Sequence, residues 1–196
     1  MQKLRPLTMD YLVHKLLNAE SLKSLQKTLL ANELSWQDGK KTAGSHASKV
    51  KNNLQLDRKS KISTLASEKI IQCITSDPLI KSFSLPKRIH GVMFTRSSKG
   101  HGYGMHVDNP YMSSGRSDLS FTLFLNERND YEGGELCIQE MQGHKNFKLD
   151  AGEIIVYPST TLHSVQKVIS GERLVCVGWI ESYVSSNEER SLLFNL

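Results

Sequence analysis

The stretch HGYGMHVDNP, from His101 to Pro110, places an imidazole and a carboxylate two residues apart, at His106 and Asp108. Side chains i and i+2 of a β-strand point to the same face, so a strand here would project both groups together. An imidazole and a carboxylate on one face are good neighbouring ligands for a divalent metal ion. The spacing alone is equally compatible with a surface histidine beside an acid, so the rest of the chain must decide.

A histidine further along the chain can complete such a site. The segment EIIVYPSTTLHSV has the pattern of a strand, a turn and a second strand that carries His163. Two histidines and one carboxylate on one face of a metal leave three adjacent positions open, which is the facial triad of non-haem Fe(II) oxygenases. Zinc accepts similar ligands, usually for hydrolysis, so these three residues leave both chemistries open.

An arginine on the following strand favours the oxygenase. Arg173 begins the segment RLVCVGWIES, ten residues after His163, and the apolar run beside it predicts a partly buried guanidinium. Such a group needs an anion, and its fork of donors suits a carboxylate bound in bidentate fashion. A dicarboxylate co-substrate, bound to the metal at one end and to Arg173 at the other, would account for all four residues.

The elements that must position these residues change in character at Pro86. Before it the pattern is mainly helical, with apolar residues recurring at i, i+3 and i+4. Asp77 and Pro78 begin a short helix, since proline suits the first helical position. The other predicted elements of this half are a strand at Tyr11–Leu17, helices at Asn18–Leu30 and Lys59–Thr75, and a loop at Ser35–Asn53.

After Pro86 the chain contains eight short β-prone runs with no helical pattern between them, which indicates an antiparallel sandwich, barrel or jelly roll. A last helix is predicted at Asn187–Leu196. The predicted fold class is mainly β with N-terminal helices (α+β): residues 1–86 form a helical layer, 87–184 a jelly-roll core and 185–196 a helix, in one structural unit. The eight runs are Arg88–Arg96, Tyr103–Asp108, Leu119–Asn126, Glu135–Glu140, Asn146–Leu149, Glu153–Tyr157, Leu162–Val168 and Arg173–Ser182.

Composition favours an ordinary globular protein of 196 residues with a formal net charge of +5. Lysine and arginine are spread over most of the chain, which predicts a solvated basic surface. Because no arginine-rich stretch with interleaved aromatic residues is present, a nucleic-acid partner is disfavoured. The longest apolar run, Leu174–Ile180, is too short to cross a bilayer, so no membrane association is expected.

Cysteine usage and the N-terminus predict a cytoplasmic location. The three cysteines, Cys73, Cys137 and Cys176, form no CxxC pair, and two of them sit in apolar runs. An odd number of cysteines without a pairing pattern fits a reducing compartment and no structural disulfide. The first ten residues, MQKLRPLTMD, contain no apolar run of the kind found in signal peptides.

Seven stretches of the sequence resemble those of one enzyme family. They are WQDGKKTAG (Trp36–Gly44), KVKNNLQ (Lys49–Gln55), HGYGMHVDNP, RSDLSFTLFLN, YEGGEL, GEIIVYPSTTLH and GERLVCVGWIES. Together they are similar to the Fe(II)- and 2-oxoglutarate-dependent dioxygenases of the prolyl/lysyl hydroxylase type, and most closely to bacterial PKHD-type hydroxylases. The resemblance covers roughly Trp36 to Phe194. Such bacterial proteins usually continue with a further helical segment where this sequence stops, which leaves substrate shape and a homo-oligomeric state open.

The resemblance implies a double-stranded β-helix, the jelly roll already indicated by the strand pattern. It implies metal ligands at His106, Asp108 and His163, and an anchor for the C5-carboxylate of 2-oxoglutarate at Arg173. The implied reaction uses Fe(II), O2 and 2-oxoglutarate to hydroxylate a substrate, with release of succinate and CO2, and ascorbate is expected to keep the iron reduced. The substrate is left open among an amino-acid side chain, a peptide and a small molecule.

Several further residues have two interpretations. Tyr103 is a candidate pocket residue that binds the co-substrate, although on a regular strand it would face away from His106 unless Gly102 and Gly104 break the alternation. Thr122 and Trp179 are expected to pack in the core, with lining of the pocket as the alternative. The stretch Lys49–Gln55 is expected to be a solvated loop, with a substrate or lid role as the alternative.

Three other functions stay open on the residues alone. They are a jelly-roll module that binds metal without turnover, a nucleic-acid demethylase with the same chemistry, and a zinc hydrolase. The complete set of His106, Asp108, His163 and Arg173 argues against the first, and the lack of a nucleic-acid-binding pattern argues against the second.

Overall fold

Two antiparallel sheets pack face to face around a cavity, and helices cover the outer face of the larger sheet. The structure is a computed structural model that describes residues 11–30, 35–42 and 50–196. Part of the predicted loop Ser35–Asn53, residues 43–49, lies outside the described residues. The predicted mainly β architecture with helices packed on the sheet is confirmed.

Each helix of the described chain begins at a side chain that caps its first turn. The capping residues Asn18, Ser60, Asp77 and Ser186 each accept a hydrogen bond from the backbone N–H three positions further on, which satisfies a donor that the helix leaves unpaired. No helix in these ranges is long and apolar enough to cross a membrane. The helices are α1 (Ala19–Leu29), α2 (Lys61–Ser76), α3 (Pro78–Ser84) and α4 (Asn187–Asn195).

Short strands make up most of the remaining chain, as the spacing of β-prone runs predicts. In chain order they are β1 (Leu12–Lys15), β2 (Trp36–Asp38), β3 (Lys51–Asn52), β4 (Leu54–Leu56), β5 (Pro86–Ser97), β6 (Gly102–His106), β7 (Tyr111–Met112), β8 (Gly115–Arg116), β9 (Leu119–Phe124), β10 (Tyr131–Gly133), β11 (Leu136–Glu140), β12 (Gly143–Phe147), β13 (Glu153–Pro158), β14 (His163–Val165), β15 (Val168–Gly171) and β16 (Arg173–Ser182).

The strands form a major and a minor sheet and two short ribbons. The major sheet has the order β1-β13-β9-β16-β5-β4-β2, and the minor sheet has the order β12-β11-β14-β6-β3. Strands β10 and β15 pair with each other, as do β7 and β8. Many neighbours in both sheets are far apart in sequence, so strands that carry distant motifs come to lie side by side.

Alternation along the central strands of the major sheet builds both sides of the fold. On β16, Leu174, Cys176 and Ile180 point to the helices, where they pack with residues of α1, α2 and α3. Val175, one position out of phase, packs with the minor sheet. The period of two therefore sends one set of side chains to the helical core and the other set towards the cavity.

The predicted loop Ser35–Asn53 is partly wrong. Strand β2 and the minor-sheet edge strand β3 lie within it, and a short 3₁₀ helix spans Gly39–Thr42. Strand β2 pairs with β4, and β3 pairs with β6, at the edges of the two sheets. Strands of two or three residues carry no periodic pattern, and pairing with a sheet edge determines their conformation.

Several strand boundaries also differ from the prediction. The run Tyr103–Asp108 ends as a strand at His106, so Asp108 follows the strand rather than lying within it. The run Leu162–Val168 divides into β14 and β15, which belong to different sheets. The predicted strand Asn146–Leu149 instead begins at Gly143 and ends at Phe147, because the hairpin with β11 pairs Glu140 with Gly143.

Candidate active site

His106, Asp108 and His163 converge at one end of the cavity. The Nε2 atom of His106 lies 3.8 Å from Oδ1 of Asp108, and Nε2 of His163 lies 3.9 Å from Oδ2 of the same carboxylate. One ligand atom from each residue lies within 4.8 Å of the others. This spacing allows a single metal ion to contact all three groups.

Strand pairing explains how residues so far apart in sequence meet. His163 lies directly opposite His106 in the antiparallel pair β14–β6 of the minor sheet. Asp108 comes just after β6, where the chain leaves the minor sheet, and its side chain reaches the major sheet. The triad therefore combines two rigid strand positions with one carboxylate at the junction between the sheets.

Backbone carbonyls orient both imidazoles. Nδ1 of His106 lies 2.8 Å from the carbonyl oxygen of Gly104, and Nδ1 of His163 lies 2.9 Å from that of Thr161. Because a carbonyl can only accept, each Nδ1 carries a proton, which leaves Nε2 as the nitrogen of each ring that can bind a metal. Burial, with a smaller contribution from His163, lowers the pKa of His106 to about 4, so this imidazole is neutral at physiological pH.

The guanidinium of Arg173 is a buried cation that lines the same cavity, and it forms no ion pair with a carboxylate among the described residues. Its side chain is 3% exposed, and Nε has no hydrogen-bond partner among the described residues. Its guanidinium lies 5.4 Å from the ring centre of Phe124, and no described carboxylate forms an ion pair with it. Burial lowers the pKa of Arg173 below the usual range. A buried guanidinium is costly unless an anion pairs with it, so the position suits an anionic ligand.

The cavity that the triad and Arg173 both line has a volume of about 440 Å³. Both sheets line it, and Thr122, Tyr157 and Val177 lie among its walls with the triad and the arginine. Burial raises the pKa of the Tyr157 hydroxyl well above its usual range, so this group is a neutral donor at physiological pH. A volume of this size accommodates a small dicarboxylate together with part of a second molecule.

Tyr103 also faces the cavity, against the expectation for a regular strand. Its ring stacks on that of His106, with centroids 3.6 Å apart and an interplanar angle of 18°. The register with β14 shifts between His163 and Val165, so that Gly104 and Met105 together lie opposite the single residue Ser164. This bulge breaks the alternation and turns Tyr103 to the side of His106.

A family model described as the 2OG-Fe(II) oxygenase superfamily matches residues 92–181, which include the triad and Arg173. A PKHD-type hydroxylase from Prochlorococcus marinus (strain MIT 9313) is 64% identical over 188 residues, covering 96% of this chain and 85% of that protein. A second, from strain MIT 9303 of the same species, is 61% identical with the same coverage. The chain belongs to the PKHD-type hydroxylases.

This PKHD-type hydroxylase shares its fold with distant oxygenases. A Pseudomonas putida prolyl-4-hydroxylase superposes with a TM-score of 0.59 at 19% identity, covering 89% of this chain and 94% of that one. A prolyl hydroxylase from Trichoplax adhaerens gives a TM-score of 0.61 at 11% identity, covering 95% and 87%. These likenesses confirm the predicted jelly-roll core.

Family membership selects one of the functions that the residues alone left open. PKHD-type hydroxylases are 2-oxoglutarate- and Fe(II)-dependent oxygenases, so the chain is an oxidoreductase of the dioxygenase class. The donor set of the cavity fits that assignment, because two imidazoles and one carboxylate are a typical ligand set for non-haem Fe(II).

Three polar side chains line this PKHD-type hydroxylase cavity against the interpretation that the sequence favours or without any signal in it. Ser120 and Trp179 both hydrogen-bond to Asp108, although the sequence favours core packing for Trp179. Lys51, from the predicted loop, is 7% exposed, and its amine lies 5.5 Å from the ring centre of Tyr103. Burial lowers the pKa of Lys51 to about 8. For the stretch Lys49–Gln55, the sequence favours a solvated loop and leaves a substrate or lid role only as the alternative.

Proposed function

We propose that the enzyme carries out its hydroxylation at a centre formed by His106, Asp108 and His163, with 2-oxoglutarate held by Arg173. The observation that carries this proposal is the position of the buried, carboxylate-free guanidinium in the same cavity as the triad. A metal site alone fits many reactions. A metal site that shares its cavity with a buried cation lacking a carboxylate partner fits a co-substrate with an anionic distal group.

The triad would hold Fe(II) through Nε2 of each histidine and the carboxylate of Asp108. When bound, iron together with 2-oxoglutarate and O2 supplies the oxidising chemistry that hydroxylates the substrate and releases succinate and CO2. The protein itself supplies orientation. The hydrogen bonds from the Nδ1 atoms to Gly104 and Thr161 hold both rings with their lone pairs directed at one point.

Arg173 would bind the C5-carboxylate of the co-substrate in bidentate fashion. Arg173 is buried and its guanidinium lies 5.4 Å from the ring centre of Phe124, so a charge-assisted hydrogen bond made there is stronger than one in water. Tyr157 and Thr122 add hydroxyl groups to the same wall. Arg173 therefore fixes the distance and the direction at which the co-substrate reaches the metal.

Tyr103 would contribute to the co-substrate site from the opposite wall. Its ring shields one side of His106, and burial raises the pKa of its hydroxyl to about 12, so it stays a neutral donor. We further propose that ascorbate keeps the iron reduced and that the enzyme works in the reducing cytoplasm. The three unbonded cysteines, Cys73, Cys137 and Cys176, support that location.

The experiment measures conversion of 2-oxoglutarate to succinate by the purified enzyme with Fe(II) and ascorbate, in the presence of a panel of amino acids, peptides and small molecules. Wild type is compared with His163→Ala and with the control His101→Ala, whose imidazole accepts a hydrogen bond from Ser98 N–H outside the cavity. We expect succinate from wild type and the control, with one added oxygen atom in the substrate that stimulates turnover. Equal succinate formation by His163→Ala would contradict the proposal.

A further inference from the structure

One oxygen of the Asp108 carboxylate is occupied by two donors from the major sheet. Oδ2 accepts a hydrogen bond from Ser120 Oγ at 2.6 Å and another from the indole Nε1 of Trp179 at 2.9 Å. The two donors lie side by side because Trp179 of β16 is the register partner of Ser120 on β9. Their geometry is therefore set by the pairing of two central strands rather than by a loop.

A third hydroxyl fixes the direction of the shorter of these bonds. Ser159 Oγ lies 2.8 Å from Ser120 Oγ, and both serines are buried. Because the single hydroxyl proton of Ser120 is donated to Asp108, Ser159 must donate to Ser120. This chain of donors ends on Oδ2, whose two lone-pair directions are then both used. No described residue donates a hydrogen bond to Oδ1.

The indole of Trp179 packs directly against the backbone of the neighbouring strand β5, at a position where the residue has no side chain. Gly91 on β5 has φ +64°, and a Cβ there would fall 2.4 Å from the indole ring of Trp179. The ring of His90 lies nearly parallel to the indole, with centroids 6.5 Å apart, and is itself held by Ser114 Oγ at 2.8 Å. Only glycine tolerates both this backbone conformation and this close approach, so the position of the donor is built into the fold.

We propose that Trp179 and Ser120 are positioning residues that make Asp108 a single-oxygen metal ligand. With Oδ2 occupied by two donors, the carboxylate offers only Oδ1 to the metal, so one carboxylate takes one coordination position. The remaining positions stay open for the co-substrate and O2. This inference rests on the proposed function, in which Asp108 is a metal ligand, and it assigns to Trp179 a role besides packing.

The test is anaerobic calorimetric titration of Fe(II), with Mn(II) as a redox-stable substitute, into Trp179→Phe and Ser120→Ala. Each variant removes one donor: Ser120→Ala is nearly isosteric, and Trp179→Phe keeps an aromatic ring in a smaller side chain. Loss of a hydrogen bond to a metal ligand typically weakens metal binding by about 10- to 100-fold, and we expect a rise of that size in Kd for each variant. Melting temperatures are measured beside each titration, and if either variant does not fold, the other carries the test.

The chain offers a matched control in its second tryptophan. Trp36 is half-buried beside Arg96 and does not line the cavity, so Trp36→Phe should bind both metals with wild-type affinity. That variant leaves Trp179 as the single tryptophan, and its fluorescence should respond to Mn(II). The emission of Trp179→Phe, which reports only on Trp36, should stay unchanged. A larger response from Trp36 than from Trp179 would contradict the assignment.

The Asp108→Ala variant separates failure of the inference from failure of the proposed function. If Asp108→Ala loses metal binding while Trp179→Phe and Ser120→Ala keep wild-type Kd, the two donors do not position the ligand and the inference is overturned. If Asp108→Ala itself binds metal normally, the proposed function fails first. Weaker metal binding by both donor variants, with unchanged melting temperatures, supports the inference.

Discussion

The two faces of the major sheet are built from the same strands but carry different side chains: apolar ones under the helices, and the polar groups of the candidate site towards the cavity. The face under the helices carries Leu174, Cys176 and Ile180 from β16, each no more than 2% exposed and each apolar. The cavity face carries Arg173, Val177 and Trp179 from the same strand. A period of two therefore lets one strand stabilise the fold with alternate residues and place polar groups with the others.

Two buried arginines, Arg190 and Arg173, differ in the same way, because they differ in the partners that the protein gives their guanidinium groups. Arg190 and Arg173 are both 3% exposed. Arg190, on α4, donates to the carbonyl oxygens of Val184 and Ser185 and is thereby satisfied within the protein. Nε of Arg173, by contrast, has no hydrogen-bond partner among the described residues. Arg190 is thus satisfied by its own chain, whereas the unpaired Nε of Arg173 supports its proposed role in binding an anionic ligand.

The largest expected effect on stability lies on the helix-covered face. Leu123 of β9 is fully buried there, and Leu123→Ala removes apolar contacts and leaves a cavity, which costs about 2–5 kcal/mol of unfolding free energy. Denaturant unfolding measures the loss. The KM for 2-oxoglutarate of the folded fraction should stay near the wild-type value, and a large rise in that KM would show that the two faces are not independent.

Substitution of Lys51, which lines the cavity, should raise the free energy of unfolding instead of lowering it. Burial lowers the pKa of Lys51 to about 8, so charging this amine destabilises the folded protein at lower pH. The penalty is complete below about pH 8, fades as the pH rises towards the ordinary lysine value near 10.4, and is absent above it. We therefore expect Lys51→Met to raise the unfolding free energy at pH 7, by up to about 3 kcal/mol, and to raise it less at pH 10.

The control for that prediction is Lys69→Met, an exposed lysine on α2. Its effect on unfolding free energy should be small and should show no comparable pH dependence between pH 7 and pH 10. A destabilised Lys51→Met protein at pH 7 would mean that the contacts of this amine outweigh the cost of its burial.

The smallest of these effects is on the co-substrate. Arg173→Lys keeps the charge but loses the fork of donors, so the KM for 2-oxoglutarate should rise by about 10-fold or more, at about 1.4 kcal/mol per decade. Arg173→Ala should raise it further. Steady-state succinate formation across co-substrate concentrations measures both. An unchanged KM in Arg173→Ala would place the anchor elsewhere, and a collapse of iron affinity in the folded variant would contradict the assigned role.

Local pattern predicted the residues whose signals lie within single segments. His106 and Asp108 share one short motif, and Arg173 begins a strong apolar strand, so all three were identifiable as candidates from the sequence. Tyr103 was harder, because its direction depends on a one-residue bulge against β14 that only the strand pairing determines. Trp179 was missed as a donor because its role depends on the register with Ser120, 59 residues earlier in the chain.

The short strands β3 and β4 are the part of the fold that the sequence does not predict. Strands β3 and β4 are two and three residues long and alternate too briefly to give a periodic signal. Their conformation comes from neighbours far along the chain, as does the burial of Lys51. The long strands β5 and β16, which pair over nine register positions, were predicted because each contains a β-prone run of nine or ten residues.

Anaerobic titration of Fe(II) into His106→Ala, Asp108→Ala and His163→Ala, each beside a melting curve, measures whether these three side chains hold the metal. The proposed site has three protein ligands, and the described residues offer no fourth beside them, so each substitution should reduce iron affinity severely while the melting curve shows an intact fold. The control His101→Ala should bind iron as wild type does. Near-normal iron affinity in any of the three variants, with a normal melting curve, would remove that residue from the site and contradict a His106–Asp108–His163 metal centre.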